Sequence, residues 1–263
     1  MGISDGTDSF VVRCDTDTGC TATTGWDEPG GVRFMDLDND TNLLLPLTNG
    51  DVILINRDIS ANVLRSRVWN GSNWSASWLT IDGAAVENTT YDTGMAAVVD
   101  PNSGDVYLAY AADNDTFTVF DHDVRTAKFS SGSWTSTAAV FSNVTNRGLT
   151  MVTISLDTNT STVYVGYVLR TTAATATTGN IFYATSTSAL SSWASTTTPV
   201  NSVQGDFRGL DFNMMSDERI YATWQDPAPD DIFGETIADI APITKVYATG
   251  TAASTITGGT TNV

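Results

Sequence analysis

Arg147 and Arg208 each stand immediately before a glycine, Gly148 and Gly209, that opens an apolar run. A guanidinium offers a planar fork of donors that fits a carboxylate in bidentate geometry. Two arginines placed alike are therefore a candidate grip for an acidic group, with Arg57 or Arg170 as a third member; salt bridging to Asp206 and Asp211 is the alternative reading. Asp36-Leu37-Asp38-Asn39-Asp40 sets a carboxylate at every second position, the alternation of oxygen ligands that calcium favours, and Thr41 and Asn42 could add oxygens. The glycine and distal glutamate of an EF-hand loop are absent, and a solvated loop is the alternative. Tyr110, Tyr167 and Trp224 end apolar runs at matching places, where rings stack on a sugar or a peptide, or pack internally. Asp226 opens a stretch that also holds Asp230, Asp231 and Glu235. Tyr91, Asp92, Asp206, Asp226 and Glu235 supply the residue types of glycoside hydrolysis, with no motif fixing their roles.

Other chemistry is excluded by count. His122 is the sole histidine, so histidine metal clusters and a Ser-His-Asp arrangement find no support. No glycine-rich phosphate loop precedes a helical pattern. Cys14 and Cys20 flank Asp15-Thr16-Asp17-Thr18-Gly19, whose turn chemistry lets them face each other across a hairpin. They are a candidate disulfide, which would imply an oxidising compartment, or else a pair of inert thiols. The net charge of −18 removes nucleic acid and anionic membrane surfaces as partners, because both demand a basic patch. No apolar run approaches the roughly 20 residues that span a bilayer, so membrane insertion is not expected.

These residues must be positioned by a repeat. Val52, Val106, Val163 and Ile220 each begin a short β-type run after a turn rich in Gly, Asn, Ser or Asp, at steps of 54, 57 and 57 residues. A period in the fifties made only of strands predicts an all-β propeller of four-stranded antiparallel blades. First strands are expected at 43–47, 95–99, 149–156 and 210–214, and third strands at 63–69, 124–129, 180–185 and 244–249. Tryptophan-bearing hairpins then lead to weaker fourth strands. The chain reads as one domain, 1–263, with repeats at 43–85, 95–141, 149–203 and 210–263. A half unit at 9–36, with strands near 9–14 and 31–35, would supply two outer strands. About five blades result, or part of a larger propeller closed by a second copy.

The hairpins Asn70-Gly71-Ser72-Asn73-Trp74, Ser131-Gly132-Ser133-Trp134 and Leu190-Ser191-Ser192-Trp193 carry a resemblance. With them the chain resembles the sialidase-like superfamily of β-propellers, whose units bear Asp-box hairpins, Ser-x-Asp-x-Gly-x-x-Trp, between third and fourth strands. Gly71-Ser72-Asn73-Trp74 keeps the second half of that box, and none of the three keeps its Asp. The resemblance implies a role for Arg147 and Arg208 in gripping an acidic sugar on the face formed by second-to-third and fourth-to-first connections. The expectation is an extracellular or cell-surface recognition or structural module, with glycan or a cell-surface protein as partner and calcium as candidate cofactor. A sialidase-like glycoside hydrolase is the alternative.

Overall fold

The computed structural model describes residues 2–4, 9–11, 13–14, 26–27, 41–58, 61–83, 94–113, 122–137, 139–141, 149–170, 179–196, 199–200, 208–214, 219–226, 231–238 and 246–248. For those before 42, for 246–248, and for Asp113, His122, Leu149, Thr150, Arg170, Arg208, Asp226, Asp231 and Ala238, the description is of the backbone alone. No helix occurs among the described residues, and so none that is long and apolar enough to cross a membrane. Two short antiparallel ribbons come first: β1 (Gly2–Ser4) with β2 (Ser9–Val11), and β3 (Arg13–Cys14) with β4 (Trp26–Asp27). In the region expected to form a half unit, Ser9–Val11 pairs with β1 and Arg13–Cys14 with Trp26–Asp27, while 31–35 lies outside the described residues.

Four antiparallel meanders follow. They are β5 (Thr41–Pro46), β6 (Val52–Asp58), β7 (Val63–Trp69) and β8 (Leu79–Asp82); β9 (Met95–Val99), β10 (Val106–Asp113), β11 (His122–Ser130) and β12 (Ser133–Ser136); β13 (Leu149–Asp157), β14 (Thr162–Arg170), β15 (Gly179–Thr187) and β16 (Ala194–Ser195); and β17 (Arg208–Met214), β18 (Ile220–Asp226), β19 (Asp231–Ala238) and β20 (Val246–Ala248). The first strands of successive sheets lie side by side, so the four sheets are the blades of a β-propeller, not closed into a ring among the described residues.

One strand assignment is overturned. In the fourth blade the third strand is β19 and not 244–249, where the fourth strand β20 runs instead. Asp226 pairs with Asp231, so of the acids in the stretch that Asp226 opens, Asp231 and Glu235 lie in a strand. Ile232, Phe233 and Ile237 then continue the ladder. Glu235, one of the residue types offered for hydrolysis, is a buried residue of β19.

The second strands of the first three blades are buried on both faces over most of their length, and their central residues are apolar for that reason. Val106, Leu108, Tyr110 and Ala112 enter the core shared with the first blade, while Tyr107, Ala109 and Ala111 enter the core shared with the third. The same alternation sends Val163, Val165, Tyr167 and Leu169 back to the second blade and Val168 forward to the fourth. Gly166 lies on that forward face, and an added Cβ there would overlap the Phe212 ring, with Cε2 at 2.6 Å and Cε1 at 2.7 Å.

The hairpin tryptophans sew blades together. Trp134 packs on Phe129, ring centroids 5.3 Å apart, and its Nε1 donates to Ser66 Oγ of the first blade at 2.7 Å. Ser136 Oγ donates to the Ile81 carbonyl at 3.2 Å, and Ser195 Oγ, its counterpart one blade on, to the Val140 carbonyl at 3.4 Å. Lys128 is paired with Asp105 at 2.8 Å and reaches the Ser188 carbonyl of the third blade at 3.3 Å. Replacing Trp134 by Phe should cost about 1 kcal/mol, the net worth of one buried hydrogen bond. In a Ser66→Ala background the same change should cost far less, which a double-mutant cycle by chemical denaturation would read.

Candidate functional site

Blade register brings one cross-strand pair to the same rim position in every sheet, where second strands end and third strands begin. These pairs are Asn56 with Arg65, Tyr110 with Arg125, Tyr167 with Phe182, and Trp224 with Phe233. The last two are aromatic and stacked, with centroids 6.1 Å and 6.0 Å apart. The first two are polar. A repeat keeps a position constant where packing alone governs it, so this change of chemistry marks the rim of the first two blades as the candidate site.

On the first blade, Asn56 is wholly buried; its Nδ2 donates to Asn42 Oδ1 at 2.9 Å and its Oδ1 accepts from Arg65 Nε at 2.9 Å. Arg65 Nη2 lies 2.9 Å from Asp58 Oδ2, and Asp58 Oδ1 accepts from the Ala61 amide at 2.8 Å. The Arg65 guanidinium also covers the Trp78 ring at 4.2 Å, with that of Arg67 on the same indole at 4.7 Å. Burial, together with the neighbouring Arg65 charge, lowers the pKa of Arg67.

At the seam with the second blade, Asp82 closes β8 and takes two donors on one oxygen. The Tyr110 hydroxyl donates to Asp82 Oδ2 at 2.9 Å, and Arg125 Nη1 lies 3.2 Å from it. Arg125 Nη2 reaches Asp123 Oδ2 at 3.4 Å. Burial first, and then the Asp82 charge, push the Tyr110 phenol far above its ordinary range, so it is a neutral donor. Arg125 keeps 28% of its side chain exposed, the most open charged group of this network. The arrangement can bind: planar donors and acceptors are held rigid by one another and presented at a rim.

The sequence candidates fall in three groups. Arg57 is 3% exposed, at the blade-one end of the rim. Tyr110, Tyr167 and Trp224 do occupy equivalent positions, at 3%, 2% and 6% exposure, and their rings face neighbouring side chains; Tyr167, for example, also stacks on Phe141 at 5.5 Å. Arg170, Arg208, Asp226 and Cys14 lie in strands described by backbone alone. Arg147, Asp36, Asp38, Asp40 and Cys20 lie outside the described residues. Among the described residues no cluster of three or more metal-ligating side chains occurs. Asn42, Asn56, Arg65, Asp82 and Arg125 were not marked by any motif. Aligning the units would have found two of them, because Asn56 breaks the series Tyr110, Tyr167, Trp224 and the register sets an arginine opposite.

Buried tyrosines give this region an alkaline limit. Burial raises the pKa of Tyr164 and Tyr183, and it lifts Tyr167 to about 12 and Tyr110 beyond that. The unfolded chain ionises Tyr110 and Tyr167 near pH 10 while the folded one does not. The folded state then holds more protons, and stability falls as pH rises above about 10, by up to ~1.4 kcal/mol per unit for each tyrosine. The last part of the rise in tyrosinate absorbance should therefore coincide with loss of β-sheet circular dichroism. Ionisation of all eight phenols before unfolding would contradict this.

No family model and no curated protein sequence matches the chain. Its fold is similar to solved propeller structures. An ulvan lyase of polysaccharide lyase family PL25 has 13% identity over 89% of this chain and 57% of its own, TM-score 0.57. A Hadza microbial sialidase has 10% identity over 81% of this chain and 46% of its own, TM-score 0.54. A protein of unknown function from Dyadobacter fermentans has 12% identity over 96% of this chain and 84% of its own, TM-score 0.52. The chain thus spans about half the length of the sialidase and the lyase. At these identities the likeness is one of fold alone, that of a β-propeller.

Proposed function

We propose that this propeller is a non-catalytic extracellular recognition module that binds carbohydrate at the rim of its first two blades. The observation that carries the reading is the replacement of the aromatic rim pair by Asn56–Arg65 and Tyr110–Arg125, each tied to a carboxylate. Sugar hydroxyls are met by planar groups that donate and accept in fixed directions, and such groups are concentrated here. Hydrolysis asks for more. Two carboxylates, or a nucleophile and an acid, must be poised about the scissile bond. Here the Tyr110 hydroxyl donates a hydrogen bond to Asp82 and is held neutral, and Asp82 is engaged by Arg125, so neither is prepared to attack. Fold similarity to a sialidase and a polysaccharide lyase lends the sugar reading support of an analogical kind. The calcium loop Asp36–Asp38–Asp40 is proposed as an accessory.

The test is a glycan array with the purified chain, in calcium and in chelator, beside hydrolysis assays on the glycans that bind. Binding without turnover supports the module. Turnover makes the chain a glycoside hydrolase, and a blank array in both buffers removes carbohydrate recognition.

A further inference from the structure

Resting on that reading, we infer that the rim selects uncharged saccharides over acidic ones. An acidic sugar needs a cation whose charge is not already answered. The guanidiniums of the two rim pairs are answered: Arg65 by Asp58 at 2.9 Å, and Arg125 by Asp82 at 3.2 Å and Asp123 at 3.4 Å. The third cation, Arg57, is 3% exposed and withdrawn from a ligand's reach. Among the described residues, Asp58, Asp82 and Asp123 thus answer the guanidiniums of both rim pairs before any ligand arrives. Around the rim the chain carries −18, which repels an anion within about 8 Å at physiological salt. The cost to a neutral polyol is small. A guanidinium has five donors and a carboxylate about four acceptor positions, so ion-paired groups retain capacity for hydroxyls. Arg125, exposed at the seam between two blades, is the group placed to use it, with Asp82 beside it.

This selectivity is opposite to that expected from an arginine grip on a carboxylate, and it is decided at Arg125. The experiment uses the whole chain and matched pairs of oligosaccharides, one galactose-terminated and one the same core capped by sialic acid or oxidised to a uronate. Dissociation constants are measured at about 0.05 and about 0.5 M NaCl. The neutral member should bind at least about tenfold tighter, with a change of less than about twofold between the two salts. Arg125→Gln should weaken neutral binding about tenfold. Asp123→Asn, which unmasks Arg125, should raise affinity for the acidic member and make it salt-sensitive. If the acidic member binds tighter to the unaltered chain and weakens with salt, the selectivity is wrong although the rim still recognises sugar. If neither member of any pair binds, the carbohydrate reading itself fails and takes this inference with it. Variants are read only where circular dichroism matches the parent, and Asp82→Asn, expected to weaken neutral binding, serves if Arg125→Gln does not fold.

Discussion

Gly166→Ala is expected to destabilise the protein by about 3 kcal/mol, the upper part of what one extra methyl costs in a filled core. The new carbon would sit inside the Phe212 ring, in a place where neither partner can give way. Gly166 is in the middle of β14, locked between two neighbouring strands, and Phe212 is buried in the core that joins the third and fourth blades. The ring must leave its rotamer or the blades must part. Phe212→Leu alone should cost about 1 kcal/mol, and in the double variant the two losses should be less than additive by about 1–2 kcal/mol. Urea unfolding of the four proteins reads this directly. Full additivity would mean that the notch at Gly166 is not what seats Phe212.

Asp82→Ala should cost about 3 kcal/mol by a different route. It removes the shared acceptor of the Tyr110 hydroxyl and Arg125 Nη1, and so leaves a buried phenol and a guanidinium charge short of a partner. The expense lies in the groups left behind. Adding Tyr110→Phe to the Asp82→Ala protein should therefore recover about 1 kcal/mol, although Tyr110→Phe in the parent destabilises. A double variant less stable than Asp82→Ala itself would show that the hydroxyl has another acceptor.

The fold was legible because its strands announce themselves twice. The turn before Val52, Val106, Val163 and Ile220 fixes where each second strand begins, and in the first three blades burial on both faces makes the body of that strand apolar. Strands that face water on one side were read less well. β19 was missed because Asp231, Gly234 and Glu235 dilute its apolar alternation and because two prolines precede it. The candidate site was legible only as a face. Arg57 stood among the residues expected there, yet the network depends on Asp82 meeting Tyr110 and Arg125 across a blade boundary, 28 and 43 residues away. Such a meeting is a product of how neighbouring sheets are placed, and spacing along one strand does not encode it. Asn56 stood closest to being read, as the one polar residue in a series of aromatics.

The two-sided burial of the second strands also bears on what happens before the blades meet. A strand with no face for water has no soluble way to exist alone. The run Val106–Ala112 is seven residues of aliphatic and aromatic side chains without a charge, the composition from which cross-β stacks are built. In a chain emerging one blade at a time, it is protected only once its neighbours on both sides have formed. Charges are placed to cover that interval: Asp105 and Asp113 bracket the run, as Asp51 and Arg57-Asp58 bracket the equivalent one in the first blade. These end charges act as gatekeepers against self-association, and the core keeps its continuous apolar strands without becoming a seed for aggregation.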